Sequence, residues 1–178
     1  MKIFVLRHGE TNENITGIMQ GNMDTELNEI GRNQAKSVAA KVKENNIDLV
    51  ISSPKKRTIE TASLAAPGIE LITDDRLLSR NHGEFQGKRR DEIDLENYWN
   101  IKKNVKFEKA ESVGALFNRV VSLLEDIIIK YPNRNILLVT HSGICRVLYY
   151  YFNGFPDDGD LLEYESHNCS FEEYDLEI

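Results

Sequence analysis

An α/β fold is what the sequence predicts, in detail a three-layer α/β/α sandwich around a mainly parallel sheet. Three observations lead there. Short apolar runs alternate with longer stretches of helical spacing. The runs are apolar throughout instead of alternating with polar residues, as strands covered on both faces are. Gly, Pro, Asn and Ser punctuate the joins.

Taken in order, residues 2–6 (Lys-Ile-Phe-Val-Leu) form the first expected strand, which ends at Arg7-His8-Gly9. Asn28 is placed to cap a helix reaching about Asn45, with Ile30, Ala35, Val38, Ala39 and Val42 near one face. A second strand is expected over 48–52. Ser53-Pro54 then reads as a helix start, Ser as cap and Pro in the first position, with the helix running to about Ala66 before Pro67-Gly68. The third strand is 69–73. The charged segment 84–110 reads as a helical insertion or lid. Ser112 can cap a long helix through Tyr131, which Pro132 ends. The fourth strand, 135–140, runs into His141-Ser142-Gly143, where Ser142 can cap a helix to about Phe152. Residues 171–176 can close the sheet. No repeat or linker interrupts the pattern, so 1–178 reads as one domain.

Composition narrows the function classes. The 178 residues are 40% apolar and 29% charged, with a net charge of −7, as in an ordinary globular protein. The acids are concentrated: residues 155–178 hold nine and no Lys or Arg. The first 154 residues carry 22 basic against 20 acidic groups, or +2. The acidic end, 155–178, is a poor nucleic-acid face, and the near-neutral body leaves room for a local basic pocket. No run approaches a membrane span, the amino-terminal apolar stretch is too short for a signal peptide, and Cys145 and Cys169 read as free thiols. The cytoplasm is the expected compartment. The four histidines lack metal-ligand spacing, so no metal is expected. The pattern carries no oligomeric signal.

In such sheets ligands bind beyond the carboxyl ends of the strands. His8 and His141 lie at two of those ends, with Arg7 and Arg57 close by. Arginine suits bidentate phosphate recognition, and helix starts add backbone donors. The sum is an anion pocket containing imidazole.

At these residues the chain resembles the histidine phosphatase superfamily, in its phosphoglycerate-mutase-like branch. Arg7-His8-Gly9-Glu10-Thr11 with Asn14 resembles the nucleophile segment. Gln20-Gly21, Asp24, Leu27, Gly31 and Gln34-Ala35 resemble the loop and helix that follow. Ser52-Ser53-Pro54 with Arg57-Thr58 resembles the second arginine motif, and Glu111-Ser112 with Arg119 a later helix. Thr140-His141-Ser142-Gly143 resembles the second histidine motif, and Asn168 fits the turn before the last strand. The resemblance implies a cofactor-free mechanism. His8 attacks phosphorus, forming a phosphohistidine that water releases, while Arg7, Arg57 and His141 bind the phosphoryl oxygens. Asn14, Gln20, Gly21, Ser142 and Gly143 are candidate substrate contacts. Arginine charge should keep His8 neutral, and a backbone carbonyl near Gly9 could hold the other ring nitrogen and so select the tautomer. Gly31, within a helix, reads as a packing glycine.

Two departures stand out. Aligned on Gly83, Ser79 occupies the position where family members usually carry the general-acid glutamate, and a hydroxyl is a poor proton donor at neutral pH. Glu84, Glu10 and His82 are the candidate substitutes. Ile18 stands where many members carry an arginine that contacts substrate. The expected function is hydrolysis of a small phosphomonoester. α-Ribazole phosphate and protein phosphohistidine are narrower substrate readings, and mutase activity is an alternative. The rival from another class is a phosphoanion-binding or regulatory protein that has lost turnover.

Overall fold

The computed structural model describes residues 1–176. Among them five strands form one sheet: β1 (Lys2–Arg7), β2 (Leu49–Ser52), β3 (Leu71–Thr73), β4 (Ile136–Thr140) and β5 (Phe171–Asp175). Their order is β3-β2-β4-β1-β5. β1, β2, β3 and β4 run parallel to their neighbours, whereas β5 lies antiparallel on β1 with Phe171 opposite Leu6.

The pleat sends alternate residues to opposite faces, and three strands are apolar on both. Ile3, Val5, Leu49, Ile51, Ile136 and Leu138 pack with α5 (Val113–Lys130) and α6 (Ser142–Asn153). Phe4, Leu6, Val50, Leu137 and Val139 meet Val42 of α2 (Glu29–Glu44) and Ala62 and Ala65 of α3 (Lys56–Ala65). These are the three expected layers.

The caps divide. Asn28 accepts from the Gly31 amide at 2.8 Å and Ser112 from the Ala115 amide at 3.2 Å, each starting its helix as expected. Ser53 and Ser142 do not cap. α3 starts at Lys56 behind Lys55, with no side-chain cap, because the Ser53 hydroxyl is engaged by His141 Nε2 at 2.8 Å. His141 is the cap residue of α6, and Ser142 is already helical. A short helix, α1 (Asn12–Ile15), was not foreseen; Thr11 and Asn14 build a capping box for it, a signal present in the sequence as Thr-x-x-Asn.

Gly31 does pack. A Cβ there would lie 2.2 Å from the Glu10 carbonyl oxygen, and one on Gly9 would lie 2.4 Å from that of Gly31. α2 therefore presses on the backbone that carries His8.

Segment 84–110 is not a helical insertion. It holds the four-residue α4 (Leu95–Tyr98), and 3₁₀ turns lie at Gly83–Phe85 and Arg90–Glu92. Its many charges mask a buried anchor of Ile93, Tyr98, Trp99 and Asn100. Fully buried Arg80 lies 3.6 Å from the Tyr98 ring centroid and donates to the Tyr98 carbonyl at 2.6 Å and that of Glu111 at 2.8 Å. Arg90 N donates to the Gly17 carbonyl at 2.9 Å, tying the segment to the loop after α1. Cys145 and Cys169 are free thiols. Among the described residues no helix is long and apolar enough to cross a membrane.

Candidate active site

A cavity of about 360 Å³ opens beyond the carboxyl ends of β1 and β4. Arg7, His8, Arg57 and His141 all line it, and so do Asn14, Gln20, Gly21, Ser142 and Gly143. The strands place the first pair: the His8 amide donates to the Thr140 carbonyl at 2.9 Å, holding the two strand ends together.

His8 is buried, and its Nδ1 lies 2.7 Å from the Gly9 carbonyl oxygen. A carbonyl only accepts, so Nδ1 carries the proton and the neutral ring keeps its lone pair on Nε2. The ring is held well below the ordinary histidine pKa. Burial is the larger cause, ahead of Arg7 and Arg57, while the Gly9 bond opposes the shift. The sequence reading credited the arginines; removal from water does more.

His141 stands edge-on to His8, with ring centroids 5.4 Å apart. Arg57 Nη2 lies 3.1 Å from its Nδ1. A guanidinium only donates, so neutral His141 carries its proton on Nε2 and gives it to Ser53 Oγ. Burial first, and then Arg57, keeps this ring neutral as well.

Arg57 ties the Gln20–Thr25 loop to α3. Its Nη1 donates to the Met23 carbonyl at 2.7 Å and its Nη2 to that of Gly21 at 2.9 Å. Burial lowers its pKa to about 10, leaving a cation at neutral pH. Arg7 donates from Nη1 to the Ser166 carbonyl at 2.5 Å. The Nε–H groups of both arginines are buried without a protein partner. Buried donors left unpaired beside a nucleophilic nitrogen are what an anion site offers.

Two amides are oriented by their oxygens. Asn14 Oδ1 accepts from the Thr11 amide at 3.1 Å and from Asn168 Nδ2 at 3.2 Å. Gln20 Oε1 accepts from the Thr25 hydroxyl at 2.5 Å. Each keeps its NH₂ as a remaining donor. Gly21 has φ +50°, and a Cβ on it would lie 2.9 Å from His82 Cδ2.

The expected proton donors fare unequally. Glu10 and Glu84 are not among the lining residues. Glu10 accepts from Asn28 Nδ2 at 2.9 Å, at the start of α2, and Glu84 accepts from the Glu108 amide at 3.2 Å. Both carboxylates serve backbone geometry away from the cavity. His82 does line it, with Nδ1 2.6 Å from the Tyr98 hydroxyl. Burial, Arg80 and Arg57 push it down to about 3, so it is unprotonated at neutral pH. Ser79 also lines the cavity. Sequence reasoning missed Glu13, Arg90, Arg146 and Glu165 as lining residues, and His167 also lines the cavity. Glu13 was legible from its place between Thr11 and Asn14, and Arg146 from its place on α6 one turn after Ser142; the others arrive from distant segments.

Residues 3–177 match the family model of the histidine phosphatase superfamily, branch 1. The chain belongs to this superfamily. By descent this histidine phosphatase is a hydrolase of the phosphatase type. Its relatives include phosphoserine phosphatase 1 of Hydrogenobacter thermophilus, 30% identical over 184 residues that span 99% of this chain and 85% of the relative. Phosphoglycerate mutase-like protein 4 of Arabidopsis thaliana is 37% identical over 159 residues, 83% of this chain and 69% of that protein. Among solved structures, a mycobacterial glucosyl-3-phosphoglycerate phosphatase with VO3 superposes with a TM-score of 0.85 at 26% identity. That match covers 97% of this chain and 91% of the other.

Proposed function

We propose that this histidine phosphatase hydrolyses small phosphomonoesters through a phosphohistidine on His8, without metal or organic cofactor. The observation that carries the reading is the 2.7 Å contact between His8 Nδ1 and the Gly9 carbonyl, which leaves Nε2 as the nucleophile. Nε2 attacks phosphorus while Arg7 and Arg57 hold the phosphoryl oxygens and neutralise the charge that builds there. Ser142 and Gly143, in the first turn of α6, line the same cavity and can offer their backbone amides and the helix's positive end. Asn14 and Gln20 offer their free NH₂ groups. Water then attacks the phosphohistidine and phosphate leaves. The whole chain acts as one catalytic domain, with 84–110 as its cover, in the cytoplasm.

A cavity of about 360 Å³ suits a small molecule. Two relatives carry phosphoserine and glucosyl-3-phosphoglycerate in their names, so phosphorylated hydroxy acids lead the substrate panel. α-Ribazole phosphate and protein phosphohistidine complete it. Mutase activity is the lower-ranked alternative.

The test is hydrolysis of p-nitrophenyl phosphate in excess EDTA, wild type beside His8→Ala. EDTA-resistant turnover that disappears with His8 is the expected result. Ser79 favours one rival, a phosphoanion-binding protein without turnover; an inactive wild type that still binds phosphate would establish it.

A further inference from the structure

We propose that Glu13 is the proton donor and acceptor of the reaction, serving from α1 where a glutamate at position 79 is missing. The inference rests on the phosphohistidine reading above. An alkoxide leaving group needs a proton as its bond to phosphorus breaks, and the Ser79 hydroxyl cannot supply one at neutral pH.

Besides the nucleophile, the side chains lining the cavity that could carry a proton are Glu13, His82, His141, Glu165 and His167. Four are disqualified. His141 is buried and both its nitrogens are engaged, by Arg57 and Ser53. His82 is locked to Tyr98 and protonates only near pH 3. Glu165 is bound to Arg90 at 2.6 Å, and that bond holds it ionised. His167 is exposed and lies in the irregular stretch between α6 and β5, where no helix or strand fixes it.

Glu13 differs on each count. It is half-buried, and among the described residues its carboxylate makes no hydrogen bond or ion pair. The group that feels its charge is Arg57, the buried cation beside His141. Its backbone is firmly placed: the Thr11–Asn14 capping box sets α1, and the Glu13 carbonyl accepts from the Ile18 amide at 2.9 Å. An incoming phosphoryl dianion favours the protonated carboxyl.

The steps balance. His8 Nε2 forms the N–P bond as the ester P–O bond breaks, and the departing oxygen takes the Glu13 proton. Water then attacks phosphorus and gives a proton back to the Glu13 carboxylate. The P–N bond breaks with its electron pair returning to Nε2.

Glu13→Gln keeps the shape and removes the proton. On O-phosphoserine and glycerol phosphate, kcat should fall by about 10²-fold or more. On p-nitrophenyl phosphate, whose leaving group needs no proton, the loss should be below about tenfold. The pH limb contributed by the carboxyl should vanish from the alkyl-phosphate profile. Equal losses on both kinds of substrate, no loss on either, or a wild type that hydrolyses no alkyl phosphate would overturn the assignment. The His8→Ala control separates the two readings. If EDTA-resistant turnover vanishes with His8 while Glu13→Gln behaves as wild type, only the Glu13 role falls. If turnover survives His8→Ala, the phosphohistidine reading falls with it.

Discussion

At the scale of single residues, a free imidazole titrates near pH 6.5, whereas burial keeps the His8 ring neutral well below that. As the proposed nucleophile, His8 is therefore competent in mild acid, and any loss of kcat/KM there reports on another group. Ser79 and Glu13 line one cavity, so a carboxylate at either place can face the leaving oxygen. Ser79→Glu in the Glu13→Gln background should recover at least about tenfold of the lost alkyl-phosphate turnover, part of the 10²–10⁴-fold span of such donors. Steady-state assays of the double variant beside Glu13→Gln decide this. The motif residues and their order were legible because each sits in a short segment. The failure of Glu84 and Glu10 as donors was not, since their carboxylates turn to the Glu108 amide and Asn28.

At the scale of elements, strands and long helices were read correctly because their signals lie within one window of sequence. Helix starts were read less well. Asn28 and Ser112 keep a side-chain oxygen for their own helices, but the Ser53 hydroxyl is engaged by a histidine 88 residues away. Tertiary partners overrode the local cap preference. The close approach of α2 to the nucleophile loop makes a testable prediction. Gly31→Ala puts a Cβ 2.2 Å from the Glu10 carbonyl oxygen. Neither backbone can yield without moving the other, so the variant should lose about 1–3 kcal/mol of stability. Urea unfolding measures that loss. Turnover should fall with it, because the displaced loop carries His8.

For the whole molecule, three buried histidines, His8, His82 and His141, stay neutral in the folded state below their ordinary pKa. Unfolding exposes them to protonation once the pH falls below about 6.5. There the unfolded chain binds protons that the native one does not, so stability rises with pH up to that value and is lost below it. For His82 the loss continues to about pH 3. Each such histidine contributes about 1.4 kcal/mol per pH unit at full effect. Urea midpoints at pH 7.5 and 5.5 should therefore differ clearly, and His82→Gln should reduce that difference by about a third of the histidine contribution. A pH-independent midpoint would contradict the burial of these rings. The same burial serves the proposed activity, for it keeps His8 unprotonated.

By itself the sequence determined the layers, the parallel core of the sheet, and the two histidines and two arginines at or near strand ends. These rest on local periodicity and short ordered motifs, which need no knowledge of distant partners. The tertiary structure alone decided that segment 84–110 is irregular and held by buried Arg80, that burial outweighs the arginines in keeping His8 neutral, and which carboxylates reach the cavity. Proton chemistry depends on distance and on exclusion of water, and both are set when residues far apart in the chain, such as 13, 57, 79 and 165, are folded around one space.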